Sequence, residues 1–414
     1  MEKNLAAQLE NRLSPKSLSL IRTTGALAAK LRFGLYLVGG AVRDILLGRD
    51  NLDLDLVVEG DAPELATSLA ERISAKVLVH RRFRTAKLQY DGLSIDLTTA
   101  RSEAYAHPGA LPTVCPGSIR DDLLRRDFTI NAMAIHLDPE NFGYLVDPFS
   151  GEEDLRHEII RILHQKSFVD DATRMLRAIR YEQRFGFQLE SNTELLLCQS
   201  IPMLSTVSGD RIRHELELIL KEDRPEDHLH RAEGLGLLQK VHPSLKGNGW
   251  LGNKYQQARS VSTPPMTLHF ALLTYRFGNE ETEDFIARLR IPGKTATVIR
   301  DTFRLKEKLP SLSGPELSPS SIHRLLQGYS PTAILACAIA SDPMTVRERL
   351  HLYLNKLRHV RTSLDGEALR QMGMPPGPPL GEMLRILHEA RLDGRLKTRE
   401  EETEFVRLSL AKGE

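Results

Sequence analysis

The chain has 414 residues, 41% hydrophobic and 27% charged, with 56 basic and 55 acidic side chains and a net charge of +1. That length accommodates two to four domains at roughly 100–200 residues each, and the composition excludes both wholesale disorder and the strongly basic coat of a non-specific nucleic-acid binder. Its 3 cysteines, Cys115, Cys198 and Cys337, lie far apart without CxxC spacing, and no stretch approaches the ~20 apolar residues of a membrane helix, so a reduced, cytoplasmic protein without a membrane partner is expected.

Residues 35–38 form a short apolar run that ends at Gly39-Gly40, residues 41–47 read as a helix, and residues 52–58, where Asp alternates with aliphatic side chains, read as a strand. Apolar residues at helical spacing mark 62–73. Segments 87–90 and 93–99 flank Asp91-Gly92, a pair suited to a tight hairpin turn, so the sheet is expected to be mixed. Residues 104–117 hold three prolines and two glycines without periodicity and read as a loop, and 130–137 returns to strand character. From about residue 170 the pattern becomes that of amphipathic helices, such as 171–185 and 211–220, with breaks at 262–265, 310–319 and 374–379. The expected fold is α+β, a mixed-sheet head followed by an all-helical remainder.

Asp53 and Asp55 stand two apart on the predicted strand, and its period of two points both carboxylates to one face while Leu52, Leu54 and Leu56 pack behind. Paired hard oxygens of this kind suit Mg²⁺ in a two-metal phosphoryl-transfer site. Gly39 and Gly40 fall where a strand meets a helix N-terminus, a place that favours phosphate oxygens, with Arg43 one turn on as a triphosphate clamp. Asp96, on the predicted neighbouring strand, supplies a third carboxylate as metal ligand or as base toward a ribose hydroxyl. Arg126, Asp127 and Asn131 combine phosphate donors with partners for ribose hydroxyls. Asp171, Arg174, Arg177 and Arg180, spaced at three, run along one side of a helix with slow drift around it, and Asp171 with Arg174 offers an acceptor and donors that read a base edge. A solvated, ion-paired face would account for that segment alone.

Taken in order, these segments closely resemble the class II tRNA nucleotidyltransferase and bacterial poly(A) polymerase family. Residues 37–44 with 52–56 are similar to its catalytic motif A, Arg125-Arg126-Asp127 to motif B, and Asp147-Pro-Phe-Ser-Gly151 with Asp154 and Arg161 to motif C. Asp170-Asp171 and Arg174 occupy the place of motif D, and residues 209–216 that of motif E. The family usually opens motif D with Glu-Asp; here Asp170 keeps the charge on a shorter arm, and Asp171 matches its base-contacting acid. The surrounding residues look like family branches that carry additional CBS and DHH domains. The resemblance implies a polymerase-beta-type head (residues 1–147), a helical neck (148–225) that recognises the base, a helical body (226–310) and a tail (311–414) that holds the tRNA acceptor arm. It implies attack of an RNA 3′-hydroxyl on the α-phosphate of ATP or CTP.

Residues 101–114 fill the interval where this family carries a flexible loop, which disfavours an enzyme that adds only C and leaves full CCA addition and terminal A addition open. A poly(A) polymerase, a silent RNA-binding protein and a nucleotidyltransferase for a small acceptor are the competing readings.

Overall fold

The computed structural model describes residues 3–49, 54–104, 106–107, 109, 113–261 and 263–411. The chain divides into two compact units, Met1–Leu216 with Gly234–Val241, and Glu217–Glu233 with His242–Glu414.

The first unit is built on β1 (Gly34–Val38), β2 (Leu54–Glu59), β3 (Lys76–His80), β4 (Thr85–Tyr90), β5 (Leu93–Thr99), a separate ribbon of β6 (Arg101–Ala104) and β7 (Thr113–Pro116), then β8 (Ala134–His136) and β9 (Leu145–Val146). Seven of these form one sheet in the order β3-β4-β5-β2-β1-β8-β9. Only the β2–β5 pair is parallel, so the sheet is mixed as expected. The β4–β5 turn has positive φ at both Asp91 (49°) and Gly92 (81°), the backbone that a two-residue turn matched to strand twist requires.

Helices α1 (Ala6–Arg12), α2 (Pro15–Lys30), α3 (Gly40–Leu46), α4 (Ala62–Ile73) and α5 (Ile119–Leu124) surround the sheet. α2 begins where Ser14 Oγ accepts from the Ser17 amide and Pro15 supplies a preset φ. It approaches so closely that a Cβ on Gly25 would stand 2.0 Å from the Leu137 carbonyl oxygen. α4 packs on β3, β4 and β5. On the other face, Tyr36, Val38 and Val57 pack with Leu123 of α5 and Ala132 and Ala134. Asp55, two residues before Val57, shares that face.

Two expectations are corrected. Residues 104–117 are not wholly a loop, because β6 and β7 enter and leave them as an antiparallel ribbon; its two free edges tolerate Pro116. Residues 130–137 hold strand only at β8, since Thr129–Asn131 form a 3₁₀ turn.

Beyond the sheet, α6 (Gly151–Arg156), α7 (Ser167–Asp170) and α8 (Thr173–Phe185) complete the part of this unit that bears on the site. The second unit is helical, with one core around Leu305, Ile334, Cys337 and Leu350 and another around Leu364, Leu369, Leu387 and Val406. Among the described residues no helix is long and apolar enough to cross a membrane.

Candidate active site

A cavity of about 420 Å³ opens in the first unit between the start of β2, the N-terminus of α3, the segment after α5 and one side of α8. Six arginines line it (Arg43, Arg125, Arg126, Arg174, Arg177 and Arg184), against four acids (Asp55, Glu103, Asp127 and Asp171). Such an excess of fixed cation suits a polyanion.

The floor is a relay of two hydrogen bonds closed by an ion pair. Arg43 Nη1 donates to Asn131 Oδ1 (2.5 Å), Asn131 Nδ2 donates to Asp127 Oδ1 (3.0 Å), and Asp127 Oδ2 pairs with Arg177 Nη2 (2.6 Å). Asp127 is buried. Burial alone would push its carboxyl up; the Arg177 charge, the Asn131 hydrogen bond and the Arg174 charge outweigh that and hold it below the usual aspartate range. Arg43 is tied further by its neighbour Asp44 (2.9 Å), and its guanidinium lies 4.8 Å from the Phe185 ring centre and 5.5 Å from that of Tyr181.

The arginines after α5 converge on a single buried carboxylate, Asp122, which accepts from Arg125 (2.7 Å) and Arg126 (3.0 Å). Glu103 on β6 takes a second contact from Arg125 at 3.3 Å. Arg126 in turn lies over Gly39, whose φ of 69° and closeness to that guanidinium, 2.5 Å from an added Cβ, leave space for glycine alone. Asp154 of α6 fastens this wall from behind, accepting from Thr129 Oγ1 (2.7 Å) and Arg161 (3.0 Å).

Asp171 does not lie within α8. It ends α7, and its Oδ1, just ahead of α8, accepts from the Thr173 amide (3.0 Å) and hydroxyl (2.6 Å), while Arg211 pairs with Oδ2 at 2.8 Å. Arg174 is buried and donates to Ser167 Oγ and to the Arg125 carbonyl, each at 2.7 Å.

Of the residues read from sequence, Gly40, Arg43, Asp55, Arg126, Asp127, Asn131, Asp171, Arg174 and Arg177 all line the cavity, and Gly39 backs Arg126. Asp53 lies outside the described residues. Asp96 is the Cα partner of Asp55 across the parallel β2–β5 pair, and Lys87 donates to it at 3.2 Å, but it stands outside the cavity wall. Arg180 turns away from the cavity toward Glu215 (3.9 Å), whose carboxyl burial pushes up. A residue spacing of three retreats about 60° around a helix at each step, so within α8 Arg180 stands about 120° around from Arg174. Glu103, Arg125, Tyr181 and Arg184 join the wall without having been singled out as ligands.

Asp55 and Asp96 present exposed carboxylates on one sheet face, hard oxygens of the chemistry that a divalent cation takes. Among the described residues no group of three acidic, histidine or cysteine side chains forms a metal cluster.

A mixed sheet with Asp55 at the start of a central strand, beside an arginine-lined cavity, defines a polymerase-beta-type nucleotidyltransferase head. Residues 35–161 match the model of the poly A polymerase head domain, and residues 186–247 that of the probable RNA and SrmB-binding site of polymerase A. The chain is 34% identical to the A-adding tRNA nucleotidyltransferase of Halalkalibacterium halodurans over 98% of its own length and 95% of that protein. It belongs to the tRNA nucleotidyltransferase family. It is also 35% identical to the A-adding enzyme of Geobacter sulfurreducens, of which it spans only 48%. Among solved structures, a CCA-adding enzyme in an apo form superposes with a TM-score of 0.85 at 33% identity, covering 98% of this chain and 99% of that one. The Thermotoga maritima CCA-adding enzyme complexed with tRNA gives 0.77 at 33% identity, covering 99% of each chain.

Proposed function

We propose that this chain transfers C, A or both from CTP and ATP to the 3′ end of tRNA, with release of pyrophosphate, in the cytoplasm. The observation that carries this reading is the cavity itself, where arginines from three segments face the carboxylate of Asp55. In the proposed arrangement Asp53 and Asp55 hold divalent cations, Mg²⁺ by their hard-oxygen chemistry, with Asp96 as third carboxylate. Bound there, the cation supplies Lewis-acid stabilisation of charge at the attacking and departing oxygens.

The residues of the chain do the rest. Gly39 and Gly40 let the triphosphate approach the backbone, with Arg43 and Arg126 as its charge partners. Asp127 and Asn131 meet the ribose. Asp171, Arg174 and Arg177 face the base, Asp171 as acceptor and the guanidinium groups as donors. Arg180 acts from behind through Glu215. On this reading the division into head, neck, body and tail stands as residues 1–147, 148–225, 226–310 and 311–414, the last holding the acceptor arm.

Terminal A addition is a narrower reading. Relatives named A-adding are 34–36% identical to this chain, one named CC-adding is 31% identical, and CCA-adding enzymes of known structure are 33% identical. Incorporation of labelled CTP and ATP into tRNAs ending at the discriminator base, after C or after CC separates the two. Extension of all three acceptors indicates CCA addition, and a single A on the CC-ended tRNA alone indicates the A-adding reading. Asp55→Ala is expected to abolish incorporation and spare tRNA binding; normal turnover would remove the carboxylate from the mechanism.

A further inference from the structure

The second unit contains a cavity of its own, about 450 Å³, walled by aromatic and cationic side chains that no step above uses. Trp250, in the first turn of the helix Gly249–Val261, is half-buried there and stacks on Tyr275 with ring centres 5.9 Å apart and planes 27° from parallel. The exposed Arg276 lays its guanidinium 4.2 Å from the Trp250 ring centre. Arg276 makes no hydrogen bond or ion pair among the described residues, so the stacked cation keeps its N–H donors for something outside the protein. Lys306 reaches the same wall. Its ammonium donates to the carbonyls of Tyr275 (3.1 Å) and Phe277 (2.7 Å) and lies 5.8 Å from the Tyr275 ring. Asp342 is the acid of the wall, against the two cations Arg276 and Lys306.

A purely apolar occupant would leave these cations unmatched, and a simple anion would leave the rings unused. A planar ring joined to a phosphate satisfies both, because aromatic and guanidinium surfaces stack bases of any sequence while Arg and Lys neutralise the backbone. The volume lies in the lower half of the range for small-ligand pockets, room for one nucleotide and not for a duplex. We infer that the Trp250–Arg276 wall is a second RNA contact, which stacks one unpaired nucleotide of the RNA substrate and pairs its phosphate with Arg276. The inference rests on the proposal that RNA is the substrate.

Trp250 is the single tryptophan of the chain, so its emission reports on this wall directly. The full chain is titrated with a tRNA transcript that lacks its terminal A, with tRNA binding measured in parallel by filter retention. Saturable quenching with the same midpoint as retention is expected, and no comparable quenching by ATP or CTP alone. Trp250→Leu should weaken retention roughly 5- to 150-fold, the equivalent of ~1–3 kcal/mol for one stacked base. Arg276→Gln, at an exposed position that leaves the fold intact, should weaken retention and lower its salt slope by about one. In both variants KM for ATP and CTP should stay at the parental value. Retention of tRNA with unchanged emission, and unchanged retention by Arg276→Gln, would overturn this inference and leave the proposed activity standing. Quenching by free ATP or CTP that tRNA does not compete away would assign the wall to a mononucleotide instead. Failure of the parental chain to retain tRNA at all would overturn both.

Discussion

Asp127→Asn tests the idea that the cavity floor is one electrostatic unit. The substitution keeps the shape and an oxygen for the Phe128 amide and Asn131, but it removes the charge that faces Arg177 at 2.6 Å. Breaking a buried ion pair costs about 3–5 kcal/mol. The Arg177 side chain is 34% exposed, which lets solvent screen part of the orphaned charge, so about 2–3 kcal/mol is expected. Urea unfolding of the parent, Asp127→Asn, Arg177→Met and the double variant forms a cycle, and a coupling above roughly 1 kcal/mol is predicted for residues in direct contact. The pH dependence has a definite sign. The folded Asp127 carboxyl titrates below its unfolded value, so its contribution is present above the ordinary aspartate range and is lost as pH falls through the folded value; the variant loses that acid sensitivity. Nucleotide KM should rise in parallel, because Asn131 and Arg43 are held through the same chain. Additive single effects, or a parental KM, would refute the account.

Two other perturbations follow from the geometry. Gly39→Ala forces a side chain onto a φ of 69° and into Arg126, at a cost of about 1–3 kcal/mol and at least roughly a tenfold loss of kcat/KM for nucleotide; a parental rate would show that Arg126 is free to move. His269, 6% exposed, is pushed down to about 4, first by burial and then by the Arg259 charge. The unfolded chain takes up this proton near pH 6.5, so stability is full above that value and falls as pH drops toward 4, by about 2 kcal/mol between pH 7 and 5. Urea titrations at those two pH values should show that loss in the parent and its absence in His269→Gln.

Local rules carried the head. Leu54 and Leu56 are buried while Asp55 between them is exposed, the alternation that marked the strand, and α4 and β5 have the bounds their periodicity indicated. Long-range partners were not legible. Nothing in the spacing says that Asp122 is fully buried beneath two arginines, or that Asp96 stands level with Asp55, since both depend on which strands and turns become neighbours. A local signal for α5 went unread: Ser118 and Asp121 form a capping box at its N-terminus, one residue ahead of Asp122. The β6–β7 ribbon escaped because prolines and glycines read as loop, and they do so equally at the unpaired edges of a two-stranded ribbon. Arg180 falls outside the cavity wall because the drift of a three-residue spacing has carried it about 120° around α8 from Arg174.

The arginines that face the cavity are also the bolts of its wall. Arg174 spends donors on Ser167 and on the Arg125 carbonyl, Arg177 is engaged by Asp127, and Arg43 by Asn131 and Asp44. Any drift in sequence that altered what the cavity accepts would therefore loosen the scaffold at the same stroke, so viable variants must change several of these positions together. What the cavity accepts and what holds it together are written in the same side chains.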